Sequence, residues 1–117
     1  MISPQYGKRR GRKMVKMDIK DETWVWVVVQ DPGGNEMFLG QHDGVNDISF
    51  IPAFGEKAEA QACLELLVRD EGMKYEVQAI RYGLLARYAS ENGFMIFILK
   101  GNGQVLQKIE LKKSQKE

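Results

Sequence analysis

A chain of 117 residues, 44% apolar and 28% charged, has the length and composition of one ordinary globular domain. Its longest apolar run, Trp24 to Val29, falls well short of the roughly 18 residues a membrane helix needs. The single cysteine, Cys63, excludes an intrachain disulfide and, with no secretory apolar block, points to the cytoplasm.

The net charge of +1 is unevenly spread. Lys8, Arg9, Arg10, Arg12, Lys13 and Lys16 give residues 1–17 a charge of +6, leaving −5 on residues 18–117. Residues 1–17 read as a disordered basic leader, because they offer too little apolar surface to order themselves. The run MDIKDETW from Met17 also reads as a natural protein start, which would make residues 1–16 upstream sequence. Residues 18–111 read as a single domain and residues 112–117 as a polar tail.

Thr23 to Gln30 predicts a strand. It is β-branched and aromatic without polar alternation, so both faces should be covered. Asp31-Pro32-Gly33-Gly34-Asn35 is a turn, and Glu36 to Leu39 should return antiparallel. Gln41 to Asp47 reads as a polar loop. Ile48 to Phe54 is the next strand, with Pro52 placing it at an edge or a bulge. Glu56 to Glu71 predicts a helix whose stripe is Ala60, Cys63, Leu64, Leu67 and Val68, stopped by Gly72. Lys74 to Ile80 alternates at period two. Arg81 to Glu91 predicts a second helix with Leu84, Leu85, Tyr88 and Ala89 on one face, closed by Asn92-Gly93. Phe94 to Leu99 is apolar throughout and should be central. Gly101-Asn102-Gly103 predicts a hairpin turn, and Gln104 to Leu111 the returning strand.

The order is β-hairpin, β, α, β, α, β-hairpin. This predicts an α/β (α+β) domain with one mixed sheet of five or six strands and two helices. Short strand–helix–strand units make parallel pairs by right-handed crossovers, so strands 48–54, 74–80 and 94–99 should run parallel. If both helices pack on one face, Trp24, Trp26 and Phe97 are left partly bare. A second copy of the chain is then the simplest cover. Helices on opposite faces would remove that need.

Few residues carry chemistry. His42-Asp43 places an imidazole beside a carboxylate, as a general base requires, although a solvated turn explains it equally simply. Cys63 sits within an apolar stripe and reads as core. A lone His and a lone Cys build no zinc site, and nothing implies a cofactor. The glycine-rich turns precede no helix, so they do not read as phosphate loops. Ligands of open α/β sheets bind at the C-terminal ends of parallel strands, here near Arg81 and Tyr82. Arg81 could meet an anion there and Tyr82 could stack, with His42 a third contact. The basic residues Lys8, Arg9, Arg10, Arg12 and Lys13 could hold nucleic acid by counterion release, with Tyr6 alone for stacking.

The run FIPAFGEKAEAQACLELL, followed by YEVQAI and LLARYASENGF, resembles a group of small bacterial domains that includes the N-terminal domain of the SseB family. The likeness spans residues 23–107. It implies an α/β domain that acts through protein contacts, with no catalytic residues to carry over. The first expectation is therefore a non-enzymatic, self-associating interaction module. A small ligand-binding domain or enzyme using Arg81, Tyr82 and His42 is the alternative, with nucleic-acid binding through the leader a third.

Overall fold

The computed structural model describes residues 19–111. The leader, its basic residues and the C-terminal tail lie outside the described residues.

The first apolar run forms β1, Trp24–Gln30. Val25, Val27 and Val29 are buried on one face; on the other Val28 is buried, Trp26 is half-buried and Trp24 is exposed, so the second face is covered only towards the end of the strand. After the Asp31–Asn35 turn, β2 (Met37–Phe38) pairs antiparallel with β1. The predicted loop 41–47 is instead a second hairpin. Gln41–Asp43 forms β3 and pairs with the start of β4, Ile48–Ala53. Its turn is organised by Asp43, whose carboxylate accepts the Val45 and Asn46 N–H groups and the Asn46 side-chain amide. These bonds hold the Asp43 carboxyl below its usual pKa, the Asn46 side chain contributing most.

Helix α1 covers Lys57–Leu64 and is half the predicted length. Its last turn tightens, with the Leu66 N–H reaching the Cys63 carbonyl at 2.8 Å. Four residues beyond the helix end, the chain is tied to a distant part of the molecule. The Gln41 side-chain amide clasps the Val68 backbone, accepting its N–H at 2.9 Å and donating to its carbonyl at 2.9 Å. A residue held so cannot continue an α-helix. The predicted stripe therefore does not extend to Val68, which is 78% exposed.

Strand β5 (Tyr75–Arg81) runs directly into α2 (Tyr82–Asn92). Gly93 closes α2 in the left-handed region at φ 78°, where a Cβ would be strained. Leu85 and Ala89 are buried, whereas Leu84, predicted on the same face, is 56% exposed. Strands β6 (Met95–Leu99) and β7 (Val105–Ile109) form the last hairpin, around Gly103.

The seven strands of the described residues form two sheets rather than one. The first has the order β2-β1-β5 and the second β3-β4-β6-β7. They touch through a Trp26–Phe54 bridge, in which each residue donates its N–H to the other's carbonyl at 2.8 Å. Beyond that bridge β1 and β4 diverge, and the chain from Met37 to Asp43 fills the gap, pairing first with β1 and then with β4. Gly40 marks the crossing. A Cβ there would stand 2.9 Å from Phe94 Cε1.

Pro52 now has a physical explanation. Phe54 points its N–H at β1, so by alternation Pro52 also faces that side, between the end of the β3 ladder and the Trp26 bridge. No ladder donor is lost there. The parallel expectation holds for direction but not for adjacency. Strands β4 and β6 are a parallel pair, whereas β5 pairs with β1, antiparallel. Because β1 is antiparallel to both β4 and β5, those two run the same way with β1 between them.

The helices lie on opposite faces. Helix α2 packs Tyr82, Leu85 and Ala89 on Val25, Val27, Val29, Ile51, Ala53, Ile96 and Ile98. Helix α1 packs Ala60 and Cys63 on Phe54, Phe97 and Leu99, with Trp26 and Val77 beside them. The crossover from β4 to β5 and the return from β5 to β6 run in opposite directions across the sheet. Two right-handed crossovers of opposite direction put one helix on each face. The wide bare face expected from helices on one side does not form.

Burial raises the pKa of the Cys63 thiol, and burial with the nearby Asp21 charge raises that of Tyr82. A raised acid pKa means the folded state keeps its proton longer than the unfolded chain does. Stability should therefore be level near neutrality. It should fall as pH rises from about 8.5, where an unperturbed thiol ionises, and again above about 10. Urea titrations across that range test the slope, and a Cys63→Ala variant should lose its first part.

Candidate interaction surface

Trp24 is the largest apolar side chain left in the open, at 55% exposure. It lies at the start of β1 opposite Arg81, the last residue of β5. The Arg81 guanidinium stacks over the Trp24 ring at 4.7 Å from its centroid, and its Nη1 donates to the Glu22 carbonyl at 3.3 Å. Two residues on, Trp26 is half-buried on the same face beneath Lys57, whose ammonium stands 5.7 Å from the ring centroid. Lys57 covers Trp26 from the first turn of α1, whereas Trp24, farther out, is covered only by Arg81 of β5, each contact being of the cation–π type. Phe97, the third residue expected to be bare, is 3% exposed. It stacks on Phe50 at 4.0 Å and lies under Lys108.

The three candidate ligand contacts do not converge. Tyr82 is buried in the α2 core, and Arg81 is engaged by Trp24 and Glu22. His42 pairs with Ser49, five residues before the Phe54 end of β4 where Arg81 and Tyr82 lie, a separation of about 17 Å along the strand.

His42 has partners that the sequence did not disclose. Its Nδ1 stands 3.2 Å from Ser49 Oγ and its Nε2 3.4 Å from Asp47 Oδ1, so Asp43 is not its carboxylate. The β3–β4 register assembles this Ser–His–Asp chain, which was hidden while 41–47 read as a loop. The chain has the connectivity of a nucleophilic triad but not its environment. The imidazole is 53% and the carboxylate 93% exposed, so water competes for each bond and no dry site forms.

An open cleft of about 650 Å³ lies where β1 and β4 diverge, lined by Gln41, His42, Ser49, Tyr75 and Phe94 among others. Its polar groups are largely spent within the chain. Gln41 holds Val68, and the Tyr75 hydroxyl accepts the Asp70 N–H at 2.7 Å. The first glycine-rich turn is likewise self-occupied, its Gly33 and Asn35 N–H groups bound by the Glu36 and Asp31 carboxylates. Among the described residues no group of three or more His, Cys, Asp or Glu side chains could hold a metal ion. No helix among them is long and apolar enough to cross a membrane.

The backbone of β5 supplies a further feature. The Thr23 carbonyl accepts the Tyr82 N–H and the Lys74 carbonyl accepts the Asp31 N–H. Even-numbered residues of β5 therefore bond to β1, and Tyr75, Val77, Ala79 and Arg81 aim their N–H and C=O groups away from it. Among the described residues nothing pairs with that outer edge. Comparison of the chain with protein-family models, curated proteins and solved structures finds no significant match.

Proposed function

We propose that this protein is a non-enzymatic interaction module that associates with a second copy of itself around the Trp24–Trp26 end of β1. With helices on both faces and no wide bare face to cover, the reading rests on the exposure of Trp24 alone. A rigid aromatic left 55% open beside a stacked arginine has the composition of an interface anchor. The α/β architecture and the dispersed polar groups fit a domain that works through contacts, as the likeness to the SseB N-terminal domain implies. The buried thiol of Cys63 suits a reducing cytoplasm.

Sedimentation velocity tests the reading, with a dimer expected at high micromolar concentration. Trp24→Ala should weaken association about 30-fold, the scale of an aromatic anchor, while the urea midpoint stays near wild type. A monomer throughout that range would remove the proposal.

A further inference from the structure

We infer that the second copy joins edge to edge along β5, with a two-fold axis through Gln78. The inference rests on the self-association reading and adds the element and the register.

The outer edge of β5 offers Tyr75, Val77 and Ala79 with both backbone groups outward, and the Arg81 N–H beside them, the Arg81 carbonyl being taken by the first turn of α2. A row of unpaired backbone groups is a template for another strand, and natural edges are commonly blunted by proline, lysine or a bulge. This edge has none of these. Its seven residues pair with β1 without interruption, and the strand contains no Pro or Lys. The opposite edge of the molecule, β7, is shorter, sits against a register shift at Ile98/Leu99 and carries Lys108.

A strand pairing with its own copy about a two-fold must be antiparallel, and its outward residues must meet one another. Centring on Gln78 satisfies both conditions and uses the whole strand. Tyr75 then stands opposite Arg81 of the second copy, and Val77 opposite Ala79. On the other face Glu76 stands opposite Ile80, and Gln78 meets itself. No like charges oppose. Centring on Val77 or Ala79 leaves one end of the strand without a partner strand. The Gln78 register also extends the Trp24–Arg81 stack. Arg81 comes to lie against a Tyr75 ring whose hydroxyl holds the Asp70 N–H, so a carboxylate-bearing residue stands next to the guanidinium. The symmetry makes this contact twice.

Two substitutions read the register. Gln78→Cys places two thiols at a non-hydrogen-bonded pair on the axis, within disulfide reach. Glu76→Cys places its two thiols about 13 Å apart along the strands, beyond that reach. Under mild oxidation the Gln78→Cys chain should run as a cross-linked dimer on a non-reducing gel. Glu76→Cys and wild type, whose one thiol is buried, should not. Ala79→Pro deletes an outward N–H that has no partner among the described residues, so circular dichroism should stay native while the dimer dissociation constant rises about 30-fold or more. If wild type is dimeric but Gln78→Cys fails to cross-link, or Glu76→Cys cross-links equally well, the edge register is wrong and self-association stands. A folded Ala79→Pro that keeps wild-type affinity overturns the edge in the same way. A wild type that stays monomeric overturns both.

Discussion

Replacing Phe54 with Ala should lower the unfolding free energy by about 3–5 kcal/mol, the range for truncating a fully enclosed phenylalanine. Phe54 is 0% exposed and is the largest fully buried side chain among the described residues, packed against Ala60, Cys63, Phe97 and Leu99. It also stands where the two sheets meet, its backbone exchanging both hydrogen bonds with Trp26. The lost ring leaves a cavity beneath α1, and the bridge loses the packing that keeps it shut. A domain of this size holds about 5–15 kcal/mol in total, so the variant should be close to unfolding at 37 °C. Each kcal/mol corresponds to a Tm shift of about 4–8 °C, so calorimetry should read a fall of at least about 12 °C. A loss under about 1 kcal/mol would mean that the seam is not closed by this side chain. Trp24→Ala, at the exposed end of β1 across the bridge, is the internal contrast, because it should change association and leave stability almost untouched.

The second large effect is expected at Gly40. Replacement by Val should cost about 1–3 kcal/mol through overpacking. A Cβ at this position would stand 2.9 Å from Phe94 Cε1 and 3.4 Å from Cζ. The Phe94 ring is not free to swing aside, since it stacks on Tyr88, which meets Phe38 edge-on at 4.8 Å. Near-UV circular dichroism should register the displaced aromatic group along with the lower urea midpoint. Combining Gly40→Val with Phe94→Leu should recover part of the loss, and the double-mutant cycle then reports the clash itself. Independent, additive losses would place the cost of the valine elsewhere.

What could be read from the residues was decided by range. Strand β1 was legible because burial on both faces towards its end leaves a continuous β-branched run. Strand β6 was legible for the same reason, and Gly93 and Gly103 are marks that local backbone sterics leave at a helix end and a hairpin. The failures are long-range. Residues 57–71 have the composition of one helix, and nothing near Val68 announces that Gln41, 27 positions earlier, will hold its backbone. Strand β3 is three residues of polar sequence, so its pairing is set by β4 rather than by its own preference. The Ser49–His42–Asp47 chain was invisible without that register. Trp24 was recognisable as a surplus aromatic. That β5 would be an outer strand was not, because strand order depends on which way each crossover turns.

The interleaving of the two sheets has a kinetic corollary. The three-stranded sheet draws on residues 24–38 and 75–81, and the four-stranded sheet on residues 41–53 and 95–109. Neither is a contiguous stretch, so neither can be completed during synthesis until much of the other has emerged. Such a topology favours late, all-or-none assembly over stepwise growth, and its long-range pairings should make the chain fold more slowly than a helical bundle of its size. While it waits, the apolar β1 segment is the earliest strand among the described residues and the one with most need of company.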